Sequence, residues 1–187
     1  MMKVGLLVDK IIEKQPVFIH CLCIIIHYLC VTKETYTMKI QVNGHEEEAY
    51  ALIMRKEHAL EILRGEKILE IRWYSEKYWG MFIDKGVLEA NRKARAEGRT
   101  DDIKPPYRTD IHYVHFYNYN NTWSLDCEID GIGRAFLTRE DIEYLNDRYD
   151  FHDYDNEWQQ YEGMREDETP LFFYLHIASV VGHRGLE

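Results

Sequence analysis

Along the chain the apolar residues change spacing several times, and each change marks an element. MKIQVNG, from Met38, opens an ordinary strand pattern. Glu46 to Ile53, EEEAYALI, passes from polar to apolar and ends at Met54, Arg55 and Lys56, as a strand that delivers two cations to its end. KEHALEILRG then places Ala59, Leu60, Ile62 and Leu63 at helical spacing, with Glu57 in the first turn, Arg64 in the last and Gly65 as the stop. GEKILEIRWY, Gly65 to Tyr74, reads as the next strand. Farther on, Ile111 to Gly133 reads as a β-hairpin turning at NYNN, with Trp123, Leu125, Cys127 and Ile129 alternating on one face. TREDIEYLNDRY is a helix capped by Thr138, with Asp141 three residues on and an apolar stripe of Ile142, Leu145 and Tyr149. PLFFYLHIASVVG is a closing, largely buried strand. This order predicts a small α+β domain, a partly closed β-barrel with flanking helices.

One stretch does not fit. VFIHCLCIIIHYLCV, Val17 to Val31, is too short to span a bilayer, contains two histidines and lacks an A-x-A-like cleavage site. It reads as part of an N-terminal extension, or of a mis-assigned start, over residues 1–37, with the functional domain running over 38–187. A membrane-associated segment and a genuine core element are the alternatives, and no stable membrane association is expected. His20, Cys21, Cys23, His27 and Cys30 have metal-ligand side chains but no recognised ligand spacing. Three cysteines in one apolar run, with Cys127 alone far away, do not make a disulfide framework, so a reducing cytoplasm fits better.

Length and charge narrow the classes. A chain of 187 residues can bury one full core. Its formal charge of −10 excludes a broad electropositive face for indiscriminate nucleic-acid binding, so any such contact must be local. Charge is uneven: Arg139 to Glu168 holds twelve acids against three arginines, whereas Lys85 to Arg108 holds seven cations against four acids. Within the latter, Val87 to Arg108 begins as a helix and breaks at Gly98 into a polar loop, either a solvated insertion or a basic arm that draws in phosphate.

The candidate chemistry lies in the second strand of charges. Glu70 and Arg72, two apart, share a face, while Leu69 and Ile71 point oppositely into the core. Lys67 has the other parity and joins them only at the helix-to-strand junction or across a bulge. Such charges are either a solvent-exposed ion pair or the lining of a ligand cleft.

A helix ending in Gly-x-Lys-x-x-Glu-x-Arg and running straight into a strand resembles the ASCH domain, a PUA-like β-barrel. The matching residues are Gly65, Lys67, Glu70 and Arg72, preceded by the helix EHALEIL and by Lys56. The acidic helix and PLFFYLHI look like the later part of that domain, so the resemblance spans about 38–182. It implies a cleft beside the barrel suited to RNA or a nucleotide-like ligand, with Lys56, Gly65, Lys67, Glu70 and Arg72 at the site and no cofactor or metal. Of the aromatics that follow, Trp73, Tyr74, Tyr78 and Trp79, with Tyr107 and His112 downstream, Trp79 is the chosen stacking residue because Gly80 and polar neighbours place it near a loop. Some relatives of this fold are small amidohydrolases acting on N4-acetylcytidine, with a lysine at the Lys67 position, a threonine where this chain has Glu70, and a further glutamate. Without that threonine the acyl acceptor is lost, although Lys67 and Glu70 could still act as catalytic acid and base on a bound water. His112 and His115 are spaced H-x-x-H, but a strand turns them to opposite sides. Three classes therefore compete: an RNA- or nucleotide-binding module, a hydrolase of a modified nucleoside, and a protein-interaction domain using the acidic segment.

Overall fold

The computed structural model describes Tyr36–Glu187; the apolar run Val17–Val31, its histidines and cysteines, and the readings placed on them lie outside the described residues. Strand β1 (Thr37–Val42) pairs antiparallel with β2 (His45–Ile53). Their turn is Asn43-Gly44, with φ of 51° and 83°, the twist that a two-residue hairpin needs. The chain continues through α1 (Lys56–Leu63), β3 (Leu69–Trp73), α2 (Glu76–Phe82), α3 (Lys85–Ala96), β4 (Tyr113–Tyr117), β5 (Ser124–Phe136), α4 (Arg139–Tyr149) and β6 (Leu171–Arg184). One sheet holds the strands in the order β1-β2-β4-β5-β6-β3; β2 and β4 are parallel and the other pairs antiparallel. The α+β class expected from the sequence is the class observed. The ladder itself stays open, with β1 and β3 as its edges.

The described residues begin at Tyr36, two residues before Met38. Ala51 N donates to Tyr36 O at 2.9 Å and the Tyr36 ring packs against the main core, so this residue is part of the structure it precedes. That core gathers Tyr50, Phe82, Phe116, Leu125, Phe173 and Leu175. A second cluster, Leu69, Leu137, Ile142, Leu145, Phe151 and Phe172, lies under α4. Phe172 and Phe173 are neighbours in β6 yet belong to different clusters, so the β3–β6 end of the sheet is covered on both faces.

Local signals held where they were short-ranged. Leu125, Cys127 and Ile129 of β5, and Trp123 just before it, are all buried. Thr138 Oγ1 accepts from Asp141 N at 3.3 Å, while Asp141 Oδ2 reaches past the cap to accept from Phe136 N at 2.6 Å. Helix α2 carries no apolar periodicity visible in the sequence beforehand; Ser75 Oγ caps it by accepting from Tyr78 N, and Met81 and Phe82 bury its C-terminal end completely. Asp84 Oδ1 accepts from Gly86 N and Val87 N to start α3. The basic segment does break at Gly98, with φ of 71°, but it is tied down: buried Asn91 donates to Lys104 O and accepts from Lys104 N.

Candidate functional site

Helix α1 ends in a wrap that sets the site. Gly65, at φ of 72°, donates to Ile62 O, and the carbonyl of Glu61 accepts from both Glu66 N and Lys67 N. No residue with a Cβ adopts that φ as easily, which is why a glycine stands there. The wrap leaves Lys67 outside the strand, free of its alternation. Its Nζ then reaches Glu70 Oε2 at 3.6 Å, and Arg72 Nη2 lies 2.8 Å from Glu70 Oε1. The three charges expected at one cleft meet as an ion-paired group with Lys67 at the junction, but Lys67 does not line the cleft that Glu70 and Arg72 share.

They are not on a solvated face. Leu69 turns to the second cluster, so Glu70 and Arg72 turn to the main one, beside Leu175 and Phe173 of β6. Glu70 is only 6% exposed. Burial pushes its carboxyl above the ordinary carboxylate range, against the opposing pull of Arg72, Lys67 and His58. Arg72 Nη1 donates to Ile53 O at 2.9 Å, and its guanidinium lies over the Tyr78 ring. Arg72 Nε is buried without a hydrogen-bond acceptor, and Nη2 has the ionic contact with Glu70 Oε1 alone.

A cleft of about 420 Å³ opens onto this pair, lined by Ile53, Met54, Arg55, His58, Glu70, Arg72, Asn118 and Tyr119. Tyr119 is 84% exposed at the tip of the β4–β5 turn. Asn118 is fixed by Thr122, donating to its Oγ1 and accepting from its N–H. His58 pairs with Glu61 at 3.0 Å, and that hydrogen bond holds the Glu61 carboxyl below its ordinary range. Gly65 and Lys67 line a different cleft, about 370 Å³, together with Glu61, Asp150, His152 and Asp153. The motif therefore borders two clefts, with the Lys67–Glu70 ion pair joining their linings.

Of the expected site residues, Glu70 and Arg72 share a cleft, Gly65 and Lys67 share another, and Lys56 and Trp79 line neither. At the end of β2 the cation that lines the cleft is Arg55, the N-cap of α1; Lys56 is exposed one residue on. Trp79 sits in α2, half-buried against Tyr74 and Phe173, because the helix turns it inward where a loop was expected. Tyr119 and His58 were missed: NYNN marked a turn, and His58 looked like one polar residue of an amphipathic helix. Tyr107 and His112 line a third cleft of about 230 Å³ with Arg108 and Ile129.

Cys127, His115 and His112 lie outside the two clefts that the motif borders. Burial pushes the Cys127 thiol up to about 12, far from a nucleophile's range. His115 is held by Asp126 at 2.5 Å, and His112 is exposed. Among the described residues no group of three or more His, Cys, Asp or Glu could hold a metal ion, and no helix is long and apolar enough to cross a membrane. Compared with protein-family models, curated proteins and solved structures, the chain matches none.

Proposed function

We propose that Tyr36–Glu187 is an ASCH-type, PUA-like domain that binds RNA or a nucleotide, taking a base into the cleft beside Glu70 and Arg72. The observation that carries this reading is the buried pair itself. A buried carboxylate and the guanidinium paired with it, whose Nε has no hydrogen-bond acceptor, face a cleft whose rim carries an exposed tyrosine. The carboxylate suits a base amino or imino group, the guanidinium suits a carbonyl or ring nitrogen, and Tyr119 offers a face for stacking. Arg72 also supports the barrel reading: its bond to Ile53 O links edge strand β3 to the end of β2, which lies across three other strands in the ladder. A reducing cytoplasm is the compartment this reading assigns, since Cys127 is a free buried thiol.

A second reading, hydrolysis of a modified nucleoside such as N4-acetylcytidine, is favoured by one observation. Glu70, its carboxyl raised by burial, stands 3.6 Å from the Lys67 ammonium, a pair able to move a proton to or from a water. Incubation with a panel of modified nucleosides, read by mass spectrometry, separates the two. Loss of an acyl group from one of them establishes the hydrolase. Saturable binding of RNA or nucleotides, with no mass change and with affinity falling as salt rises, establishes the binding module. Binding to neither would overturn both.

A further inference from the structure

We infer that the mouth of this cleft is a phosphate subsite built on Arg55, so that the ligand is a nucleotide carrying a phosphate next to the bound base, not a bare nucleoside. The inference rests on the base-binding reading above and adds the charged group that reading leaves open.

Charge carries it. With the chain at −10, a phosphate gains nothing from the long-range field and must find its cations at the site. The cleft supplies them: its lining holds two guanidinium groups, Arg55 and Arg72, against one carboxylate, Glu70. That carboxylate is already held by Lys67 and Arg72. Arg55 is exposed and, among the described residues, its side chain has no ion pair or hydrogen bond. Elsewhere on the surface Arg64, Arg92, Arg99, Arg139 and Arg165 each hold a carboxylate; Arg95 and Arg134 are, like Arg55, exposed without an ion pair among the described residues, but neither lines this cleft. An arginine left without an anion at the mouth of a cleft, where acids are plentiful along the chain, has its fork free for one from outside.

The cleft interior adds a second, independent sign. Arg72 Nε is buried with no hydrogen-bond acceptor, and buried N–H groups in folded proteins are almost always satisfied. A ligand oxygen or ring nitrogen that reached Nε would satisfy it. A volume of about 420 Å³ is enough for one nucleotide and too small for a duplex.

The test uses the full chain, the four common ribonucleosides, their 5′-monophosphates, inorganic phosphate and a short RNA with a 5′-hydroxyl end. By calorimetry, at least one monophosphate binds about tenfold or more tighter than its nucleoside, as a charge-assisted contact requires. Inorganic phosphate competes with it. In Arg55→Gln the gap between the two narrows to about twofold, with unchanged melting as the folding control and Arg55→Lys restoring part of it. Short RNA that loses affinity in Arg55→Gln as the monophosphate does assigns the subsite to a backbone phosphodiester; RNA indifferent to that change assigns it to a terminal phosphate. Nucleoside and monophosphate binding equally well, or a gap that survives Arg55→Gln, overturns the phosphate subsite and leaves base binding standing. Failure of every probe to bind overturns both.

Discussion

Replacing Glu70 by Gln separates what the buried charges do for folding from what they do for a ligand. At an effective dielectric of about 20, separations of 2.8 and 3.6 Å give attractions of about 6 and 5 kcal/mol. Withdrawing each of the three ions from water costs several kcal/mol, so the two sums nearly cancel. The raised carboxyl of Glu70 has the same meaning: burial outweighs the cations. Gln keeps the size and one acceptor and sheds the desolvation cost, so Glu70→Gln should change stability by no more than about 1 kcal/mol near neutral pH. Arg72→Met is different. It removes the strongest opposing pull on Glu70 and strands the carboxylate, which should cost about 3–5 kcal/mol. The pH profile carries a sign. Because the folded protein holds the Glu70 proton more tightly than the unfolded chain, that contribution is full below the ordinary glutamate value and is lost as pH rises through the elevated one; Glu70→Gln lacks this limb. Ligand affinity should nevertheless fall about tenfold in Glu70→Gln, since a charge-assisted hydrogen bond is worth about 1.5–3 kcal/mol. Urea unfolding from acid to neutral pH, with titration of nucleotide or short RNA, measures all of this. A loss above about 3 kcal/mol in Glu70→Gln would refute the balance of burial over attraction. Equal affinities would remove Glu70 from the binding site.

Three further outcomes follow from the packing. A chain beginning at Met38 should be about 1–2 kcal/mol less stable than one beginning at Tyr36, through loss of the Ala51–Tyr36 hydrogen bond and the Tyr36 ring; identical urea midpoints would show that Tyr36 contributes nothing. A Cβ at Gly133 would lie 2.1 Å from Tyr174 Cζ, so Gly133→Ala should cost about 1–3 kcal/mol in the native background and far less in Tyr174→Ala, and additive losses would contradict the clash. Asn91→Leu should cost about 2–3 kcal/mol, because it leaves Lys104 N and O without their partner, and should raise the proteolysis rate of the segment after α3; unchanged cleavage would show that the loop is held by other contacts.

How far the sequence reached follows from the range of each cause. The stop of α1 at Gly65, the cap of α4 at Thr138 and the alternation from Trp123 to Ile129 depend on residues within a few positions of one another, and all three were legible beforehand. Even the shared face of Glu70 and Arg72 followed from a spacing of two. Whether that face met water did not, because burial depends on β6 pairing with β3 and on α4 covering the opposite side, and these partners lie about 100 and about 70 residues later in the chain. Parity also could not place Lys67, since the wrap onto Glu61 O removes it from the strand. The cleft is the clearest case. Arg55 and His58 come from the start of α1, Glu70 and Arg72 from β3, and Tyr119 from the β4–β5 turn. No period links those positions; β2 running parallel to β4, with each strand leading directly into one of those segments, brings the first and last together. Short-range spacing determined the elements and their faces, and long-range strand pairing decided which charged residues lost their water and which gathered around one cleft.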